Sequence, residues 1–323
     1  MYHSILVPLD GSTFSEHALP VAACIARLAG ASLKLVRVIP NDHAEDVVFG
    51  LTGRYPWQEG REYLHRVADL LERRAGLWPS FRLLGGLAVD TICEHATDQG
   101  ADLVVMTTHG RGPLSRFWLG SVADELVRRL PMPLLLVRPH GEAPDWAGAP
   151  LKNVLIALDG SALAEAVLGP AVELGRLTGA SFTLVGAVPP LPAAAIGVPA
   201  YVAGAVDGAA LERVQGELHA YLEVAARPLR EQGLSVRTRV VAKGRPAAAI
   251  LAEAEARHCD LIALATHGRR GLSRLFLGSV ADKVVRGATA PVLLFRPMAP
   301  AREGPCAAAI GREAPGVSRP AAW

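Results

Sequence analysis

The sequence predicts an α/β fold made of two open parallel sheets in tandem, each covered by helices on both faces. The segment at 108–139 returns at 266–297 with 20 of 32 positions identical, and "ILVPLDGS" at 5–12 is echoed by "VLIALDGS" at 154–161. In each copy, short β-rich apolar runs alternate with longer runs of helical period. The last two runs of each copy are almost wholly apolar, as strands buried on both faces are. Such an alternation specifies a parallel sheet with crossover helices.

The first copy contains five predicted strands, in "SILVPL", "SLKLVRVI", "FRLLGG", "DLVVMT" and "PLLLV". Helices are predicted between them, over "TFSEHALPVAACIARLAG", "WQEGREYLHRVADLLERRA" and "VDTICEHATDQG", with a last one beginning at Ser121. Thr13 and Glu16 stand at capping-box spacing, which predicts that Thr13 caps the first helix.

The second copy repeats this order with strands in "NVLIAL", "ASFTLVGAV", "SVRTRVVA", "DLIALAT" and "PVLLF". The strand landmarks of the two copies lie 149 positions apart and the long segments 158, so about nine residues are inserted between them. The stretch "VPPLPAAAIGVPAYVAGAVDGAA" is rich in Pro, Gly and Ala. We therefore expect it to form a loop before a helix near Leu211.

These boundaries predict a first domain at 1–140, a linker at 141–150 and a second domain at 151–297. The linker region has the mixed Pro, Gly and charged composition of a domain boundary. Residues 298–323 lack sustained periodicity and are expected to form a flexible C-terminal tail.

Composition and the N-terminal sequence argue against a nucleic-acid-binding, a secreted and a membrane protein. The chain has 323 residues, with 33 basic and 31 acidic side chains and a net charge of +2, so no polyanion-binding surface for nucleic acid is expected. The N-terminus "MYHSILVPLDGS" reads as a strand and not as a secretory signal, and no apolar run is long enough to span a membrane. Four scattered cysteines without a CxxC pair indicate reduced thiols. We therefore expect a cytoplasmic protein.

The motifs that carry chemistry lie at predicted strand ends. Asp10 and Asp159 close the first strand of each copy, and a loop of pattern G-x9-G-S follows the fourth. In an open α/β sheet, ligands bind outside the carboxyl ends of the strands. Glycines let the backbone approach a phosphate, and a helix beginning at Ser121 or Ser279 attracts an anion through its free N–H groups. A carboxylate suits the ribose hydroxyls or an exocyclic amine.

Structural interpretations of the same residues stay open. Ser121 and Ser279 are equally compatible with ordinary N-caps, assisted by Asp124 and Asp282. A recurring histidine at a strand end is more often structural than catalytic, and loop arginines are usually solvated; these are His109, His267, Arg111, Arg116, Arg269 and Arg274. No Walker-type phosphate loop, GxGxxG after the first strand, GxSxG, HExxH or Cys/His cluster occurs in the sequence. Nothing therefore points to catalysis.

The paired motifs resemble the universal stress protein domain, whose pattern includes "PLDGS" after the first strand, "THGR" after the fourth and then "GS", a helix and "PLLLVRP". The resemblance implies a five-stranded sheet of order 3-2-1-4-5 in each copy, related to the adenine-nucleotide α-hydrolases. It also implies ATP as the ligand, alone or with Mg²⁺ or Mn²⁺. The implied binding residues are Asp10, Val38, Gly110, Arg111, Gly120, Ser121, Val122, Asp159, Val188, Gly268, Arg269, Gly278, Ser279 and Val280.

The sequence departs from the family pattern at one place, because Thr107 and Ala265 replace the first glycine of G-x2-G-x9-G-[ST]. Three hypotheses remain: a regulatory ATP-binding stress protein without significant catalysis, a nucleotide-free stress scaffold, and an enzyme of the related hydrolase or ligase type. The last lacks the Ser-Gly-Gly loop that it would need. The resemblance further implies pairing of the two domains through their last strands, and it is compatible with, but does not require, a homodimer.

Overall fold

The structure is a computed structural model that describes residues 2–40, 56–108, 119–141, 144, 146, 151–188, 200–242, 244–266 and 277–296, with the backbone alone at 200–207, 209 and 210. The described residues form ten strands: β1 Ser4–Pro8, β2 Ser32–Ile39, β3 Ser80–Gly85, β4 Leu103–Thr107, β5 Leu134–Val137, β6 Asn153–Ala157, β7 Ser181–Ala187, β8 Val236–Val241, β9 Leu261–Ala265 and β10 Val292–Phe295. Each predicted strand is present, because apolar β-branched runs of this length have few alternatives to a buried strand.

The helices of the first copy are α1 Thr13–Glu16, α2 Leu19–Ala29, α3 Pro56–Ala75, α4 Ala88–Asp98 and α5 Ser121–Arg129. Those of the second copy are α6 Ala162–Glu165, α7 Leu168–Thr178, α8 Ala200–Glu231, α9 Pro246–Ala256 and α10 Ser279–Gly287. Strand and helix alternate in both copies, as the sequence predicts.

The strands of each copy lie in the order 3-2-1-4-5 and are parallel to one another. The two copies do not form separate sheets, however. They join into one ten-stranded sheet of order β3-β2-β1-β4-β5-β10-β9-β6-β7-β8. The expected order is therefore confirmed within each copy, and the expected pairing of last strands fuses the copies.

The seam between the copies is the antiparallel pair β5 and β10. Leu135 lies opposite Leu293, and on either side of this pair Leu134 faces Leu294 and Leu136 faces Val292. The pairs are arranged symmetrically, because residues 134, 135 and 136 correspond to 292, 293 and 294 in the repeat. The seam therefore lies on a pseudo-twofold axis through the Leu135–Leu293 pair, as in an isologous dimer interface.

Apolar side chains form one core layer on each face of the sheet. The first layer packs α2, α3, α7 and α8 against one face, and the second packs α4, α5, α9 and α10 against the other. Each layer contains residues of both copies and therefore continues across the seam. Burial of this continuous apolar surface stabilises the two copies as one unit.

Polar contacts also cross between the copies. The Tyr2 hydroxyl donates a hydrogen bond to the Pro170 carbonyl at 2.9 Å, and burial raises the pKa of Tyr2 above its ordinary value. The Arg138 guanidinium donates to the carbonyls of Arg286 and Ala288, at 3.3 and 3.2 Å. These two carbonyls lie at the C-terminal end of α10, where a cation is favoured.

One predicted loop is wrong in part. The sequence predicts a loop over 188–210 and a helix that begins near Leu211, but α8 already begins at Ala200. Alanine is the best helix former, and two glycines do not prevent a helix that packs on β7. The residues of this stretch at 189–199 lie outside the described part of the chain.

Three of the four cysteines lie within the described residues. Cys24, Cys93 and Cys259 are free thiols, and burial raises the pKa of Cys93 and brings that of Cys259 to about 11. A higher pKa leaves less thiolate and so lowers reactivity. Among the residues described here, no helix is long and apolar enough to cross a membrane.

We expect the seam to depend on its central leucine pair. Leu135 and Leu293 are fully buried, so Leu135→Ala or Leu293→Ala should lower the free energy of unfolding by about 2–5 kcal/mol through lost burial and a cavity. Denaturant unfolding measures this change. Leu87→Ala, at a side chain that is 74% exposed, serves as the control and should change stability by less than about 0.5 kcal/mol. Seam variants as stable as the control would contradict the role assigned to this pair.

Candidate functional site

The first feature of the site is a tight turn after β1. One carboxylate oxygen of Asp10, Oδ1, accepts hydrogen bonds from the Ser12 backbone N–H at 2.8 Å and from the Ser12 hydroxyl at 2.6 Å. Ser12 in turn caps α1, because its Oγ accepts from the Ser15 N–H at 3.2 Å. Gly11 has φ 87°, a conformation that favours glycine. The capping prediction for Thr13 is therefore wrong by one residue, and the true cap also orients the aspartate.

The same turn is built after β6. Asp159 Oδ1 accepts from the Ser161 N–H at 3.0 Å and from its hydroxyl at 2.6 Å, and Ser161 caps α6 through the Ala164 N–H at 3.1 Å. Gly160 has φ 82°. The repeat in sequence is thus a repeat in geometry, with both aspartates held in the same orientation.

The second feature is the base of the glycine loop, which lies beside this turn. β1 and β4 are parallel neighbours with Ile5 opposite Leu103 and Leu6 opposite Val104, so Asp10 and Thr108 follow the two strands at the same carboxyl edge of the sheet. The Thr108 carbonyl accepts the Gly120 N–H at 2.8 Å. The loop is therefore closed at its base by one hydrogen bond, next to the aspartate.

The second copy closes its loop in the same way. Ala157 lies opposite Leu264, which places Asp159 beside Thr266, and the Thr266 carbonyl accepts the Gly278 N–H at 2.9 Å. Gly110, Arg111, Gly268 and Arg269 fall outside the described residues, so their predicted role at this edge stays a prediction.

The helices that leave the loops begin without a side-chain cap. Gly120 and Gly278 occupy the N-cap positions of α5 and α10, and Ser121 and Ser279 are the first helical residues and are exposed. The alternative that these serines are ordinary N-caps is therefore wrong. The N–H groups of a first turn left without a side-chain acceptor can bind an anion.

The residues that follow these serines serve the helix itself. Val122 and Val280 are half-buried against the second core layer. Asp124 pairs with Arg128, and Asp282 with Arg286 at 2.8 Å, one turn further along each helix. Neither aspartate therefore assists a serine cap in the way that the sequence left open.

The replaced glycines lie at the ends of β4 and β9. Thr107 is 5% exposed and Ala265 is half-buried. Because side chains alternate along a strand, they share a face with Val105 and Ala263, which belong to the first core layer. The side chain of Thr107 is thus accommodated in the packed interior of the first copy.

The two valines predicted to pack on adenine are not equivalent. The Leu9 N–H donates to Val36 and the Leu158 N–H to Val185, so Val38 corresponds to Ala187 and not to Val188. Val38 packs against the second core layer, whereas Val188 follows the last residue of β7 on the opposite face. A shift of one residue along a strand moves the side chain to the opposite face of the sheet. The residue of the second copy that corresponds to Val38 is therefore Ala187.

A charged cluster around Tyr63 escaped the sequence analysis. The guanidinium carbons of Arg37 on β2 and Arg66 on α3 lie 5.1 and 5.8 Å from the centroid of the Tyr63 ring, which allows cation–π attraction. Burial raises the pKa of Glu16 on α1, Arg66 opposes this increase, and Asp10 adds to it. Glu16, Tyr63 and Arg66 therefore share an electrostatic environment with the aspartate of the turn.

A signal for part of this cluster is present in the repeat. Glu16 and Glu165 each follow the aspartate of their turn by six residues, and Tyr63 and Tyr221 lie 158 positions apart, the offset of the long repeated segments. The two arginines have no such signal, because they occur in one copy only.

Fold and site together define the class of this protein: two α/β repeats joined in one sheet, each with an oriented aspartate and a glycine-led helix start at its strand ends. A family model described as the universal stress protein family matches residues 1–138 and again residues 150–296. The chain belongs to the universal stress protein family.

Similar proteins share the tandem arrangement or one half of it. A universal stress protein of Mycobacterium tuberculosis is 29% identical over 310 residues, which cover 91% of this chain and 97% of that protein. One from Thermus aquaticus is 34% identical over 143 residues, 43% of this chain and 100% of its own. The crystal structure of a universal stress protein from Archaeoglobus fulgidus superposes with a TM-score of 0.67 at 20% identity, covering 91% of this chain and 98% of that chain, and so shares the fold.

We expect Ser12 to hold both the turn and the helix start. Ser12→Ala removes the cap of α1 and the hydrogen bond from the Ser12 hydroxyl to Asp10. The free energy of unfolding should therefore fall by about 0.5–2 kcal/mol, and Ser161→Ala should act similarly. Thermal unfolding followed by circular dichroism measures the loss. Thr97→Ala, which removes an exposed hydroxyl bonded to the Cys93 carbonyl within α4, is the control and should be nearly neutral. Ser12→Ala with the stability of the control would refute the capping role.

Proposed function

We propose that this protein binds ATP in the strand-end crevice of one or both copies, in the cytoplasm, and that nucleotide occupancy serves as a regulatory signal in a stress response. The observation that carries the proposal is the adjacency, built twice, of an oriented aspartate and a helix start without a side-chain cap. A carboxylate suits the ribose or the amine of adenine, and the helix start suits phosphate.

The oriented aspartate supports the adenosine end of this assignment. Asp10 and Asp159 use Oδ1 to hold their own turns, at matched distances of 2.6–3.0 Å. The turn therefore holds each carboxylate in a fixed orientation at its strand end, as recognition of ribose hydroxyls or of an amine requires.

The loop base supports the phosphate end. The hydrogen bonds from Gly120 to Thr108 and from Gly278 to Thr266 hold each helix start at the edge where its aspartate lies. The proposed phosphate-binding residues are Gly110, Arg111, Gly120, Ser121 and Val122 in the first copy and Gly268, Arg269, Gly278, Ser279 and Val280 in the second. Mg²⁺ or Mn²⁺ would arrive with the nucleotide, since within the described ranges no cluster of three or more His, Cys, Asp or Glu residues is arranged to hold a metal ion.

A regulatory role is favoured over catalysis. In the turn after β1, the residues Gly11 and Ser12 serve to orient Asp10 and to cap α1. They therefore do not supply the Ser-Gly-Gly pyrophosphate loop of the related hydrolases and ligases. We accordingly assign no catalytic residue.

Titration of the full-length chain with ATP, with and without Mg²⁺ or Mn²⁺, tests the proposal. We expect saturable binding of up to two nucleotides, detected by isothermal titration calorimetry. Gly120→Val should abolish binding in the first copy and Gly278→Val in the second, because a β-branched side chain at the N-cap blocks the approach of phosphate to the helix start.

The matched control is Gly208→Val, at an exposed helical glycine where an added Cβ meets nothing within 4 Å. It should bind like the parent, and thermal unfolding of all variants confirms that they are folded. An absence of saturable binding by the parent would favour a nucleotide-free scaffold. Unchanged affinity in both Gly120→Val and Gly278→Val would return these glycines to a packing role, and rapid ATP turnover would revive the enzyme hypothesis.

A further inference from the structure

The described sheet has two edges, β3 and β8, and their backbone groups are used differently. In a parallel pair, alternate residues of a strand direct both the N–H and the C=O group to the neighbouring strand, and the residues between them direct both groups outward. The Val188 N–H donates to the Val241 carbonyl, so the odd-numbered residues of β8 face β7. The outward groups of β8 therefore belong to Val236, Thr238 and Val240.

The β8 edge is covered by contacts within its own chain. The outward carbonyl of Val236 accepts a hydrogen bond from Arg230 Nε at 3.0 Å. Arg230 also pairs with Glu223, and the hydroxyl of Thr238, the next outward residue, donates to the same carboxylate. Charged side chains held at an edge strand hinder its pairing with a further strand. This edge is therefore protected.

The β3 edge has no such cover within the described residues. The Gly86 N–H donates to the Ile39 carbonyl, so the even-numbered residues of β3 face β2. The outward groups belong to Phe81, Leu83 and Gly85, and none of the described side chains forms a hydrogen bond with them. An edge strand of this kind is a template for pairing with another strand.

The outward groups of β3 match those of a second β3 strand. If two copies pair antiparallel about a twofold axis through Leu83, each Leu83 exchanges both hydrogen bonds with the other, and Phe81 does so with Gly85 of the second copy. Every outward group of the strand then has a partner. The register also sets a large aromatic ring opposite a glycine, an arrangement that stabilises a glycine in an edge strand.

The side chains of β3 disfavour the neighbouring registers. An axis through Arg82 would set two arginines directly opposite each other, which is destabilising. An axis through Phe81 would pair Leu83 with Pro79, which has no N–H to donate. An axis one residue beyond Leu83 would leave Phe81 opposite residue 87, outside the strand. The axis through Leu83 is therefore the register in which β3 fits a second copy of itself.

An apolar surface lies beside this axis. Leu83 lines an open cavity of about 270 Å³ together with Trp57, Gln58 and Arg61 of α3. Trp57 is 46% exposed, although its ring is largely apolar. Because Leu83 lies on the axis, the two cavity walls face each other in the pair, and Arg61 can stack on the Trp57 ring of the second copy. Burial of this wall adds apolar stabilisation to the backbone hydrogen bonds.

We infer that two copies of this chain form a homodimer through their β3 edges, with the strands antiparallel about a twofold axis at Leu83. The same kind of pairing already joins the two halves of one chain, where β5 and β10 are antiparallel about the equivalent residues Leu135 and Leu293. The inference goes beyond the proposed function, because the paired edge contains none of the residues assigned to the nucleotide. It therefore holds or fails independently of ATP binding.

Sedimentation velocity of the full-length chain over a range of concentrations, without nucleotide, tests this inference. We expect an equilibrium between monomer and dimer. Residue-resolved hydrogen exchange should show the amides of Phe81, Leu83 and Gly85 protected in the dimer and exchanging in the dilute monomer, whereas those of Thr238 and Val240 exchange in both. A monomer at every concentration would overturn the inference. A dimer that leaves the three β3 amides unprotected would place the contact elsewhere and overturn it equally.

Gly85→Pro removes an outward N–H group and no hydrogen bond to β2, an orientation in which an edge strand tolerates proline. Because two equivalent hydrogen bonds are lost in the symmetric pair, the variant should weaken dimerisation by roughly tenfold or more. Ala242→Pro is the matched control, since residue 242 has the corresponding outward position at the end of β8. It should leave the equilibrium unchanged, and thermal unfolding shows whether each variant is folded.

Trp57→Gln leaves the strand itself unchanged and keeps the inference testable if Gly85→Pro fails to fold. Loss of the indole from both sides of the axis should weaken dimerisation by roughly tenfold. Val224→Gln, at a side chain of α8 that is 61% exposed, is its control and should behave like the parent. A dimer of undiminished affinity in both Gly85→Pro and Trp57→Gln would show that β3 is not the interface.

Discussion

The parallel pairing of β1 with β4, and of β6 with β9, is the constraint on which each crevice depends. The connection from β1 to β2 lies on one side of β1, whereas the connection from β3 to β4 brings the chain to its other side, and the second copy does the same around β6. Open α/β sheets bind ligands outside the carboxyl ends of the strands at such a point. The pairing register then decides which residues meet there. It sets the turn aspartate beside the threonine whose carbonyl closes the loop, at both places in the chain.

The seam between β5 and β10 removes a sheet edge from each copy. An unpaired last strand in each copy would expose a row of backbone N–H and C=O groups. Pairing β5 with β10 satisfies them, and the edges of the described sheet become β3 and β8. Arg138 follows Val137, whose carbonyl accepts the Thr108 N–H, and it binds the C-terminal end of α10. A continuous set of contacts therefore runs from one loop base to the helix whose start forms the other crevice.

The sequence predicts the strands well because each is a short apolar run between turn residues, a pattern with one stable outcome inside a two-layered α/β domain. The start of α8 escapes prediction, since Pro, Gly and Ala in 188–210 signal a loop locally, while packing of the helix on β7 favours continuation. The pairing of Val38 with Val188 fails for a different reason. Sequence position alone does not show which residues of the two copies are equivalent on the sheet. An error of one position moves the side chain to the opposite face. The residue that caps the first helix is Ser12 and not the neighbouring Thr13. Only the geometry of the Asp10 turn distinguishes these two residues.

The charged cluster around Tyr63 shows that two copies of a sequence repeat can differ at positions outside their shared motifs. Shared residues draw attention to Asp10 and Asp159, and the positions that differ look like solvated surface when read singly. Placed in the fold, Arg37 on β2 corresponds to Gly186 on β7, where the Leu218 side chain occupies the space that a larger residue would need. Gly60, which corresponds to Leu218, leaves its own space to Leu83 of β3. Core density constrains the total volume between strand and helix and not which element supplies it, so two copies of one fold can differ in the charge that their strands carry.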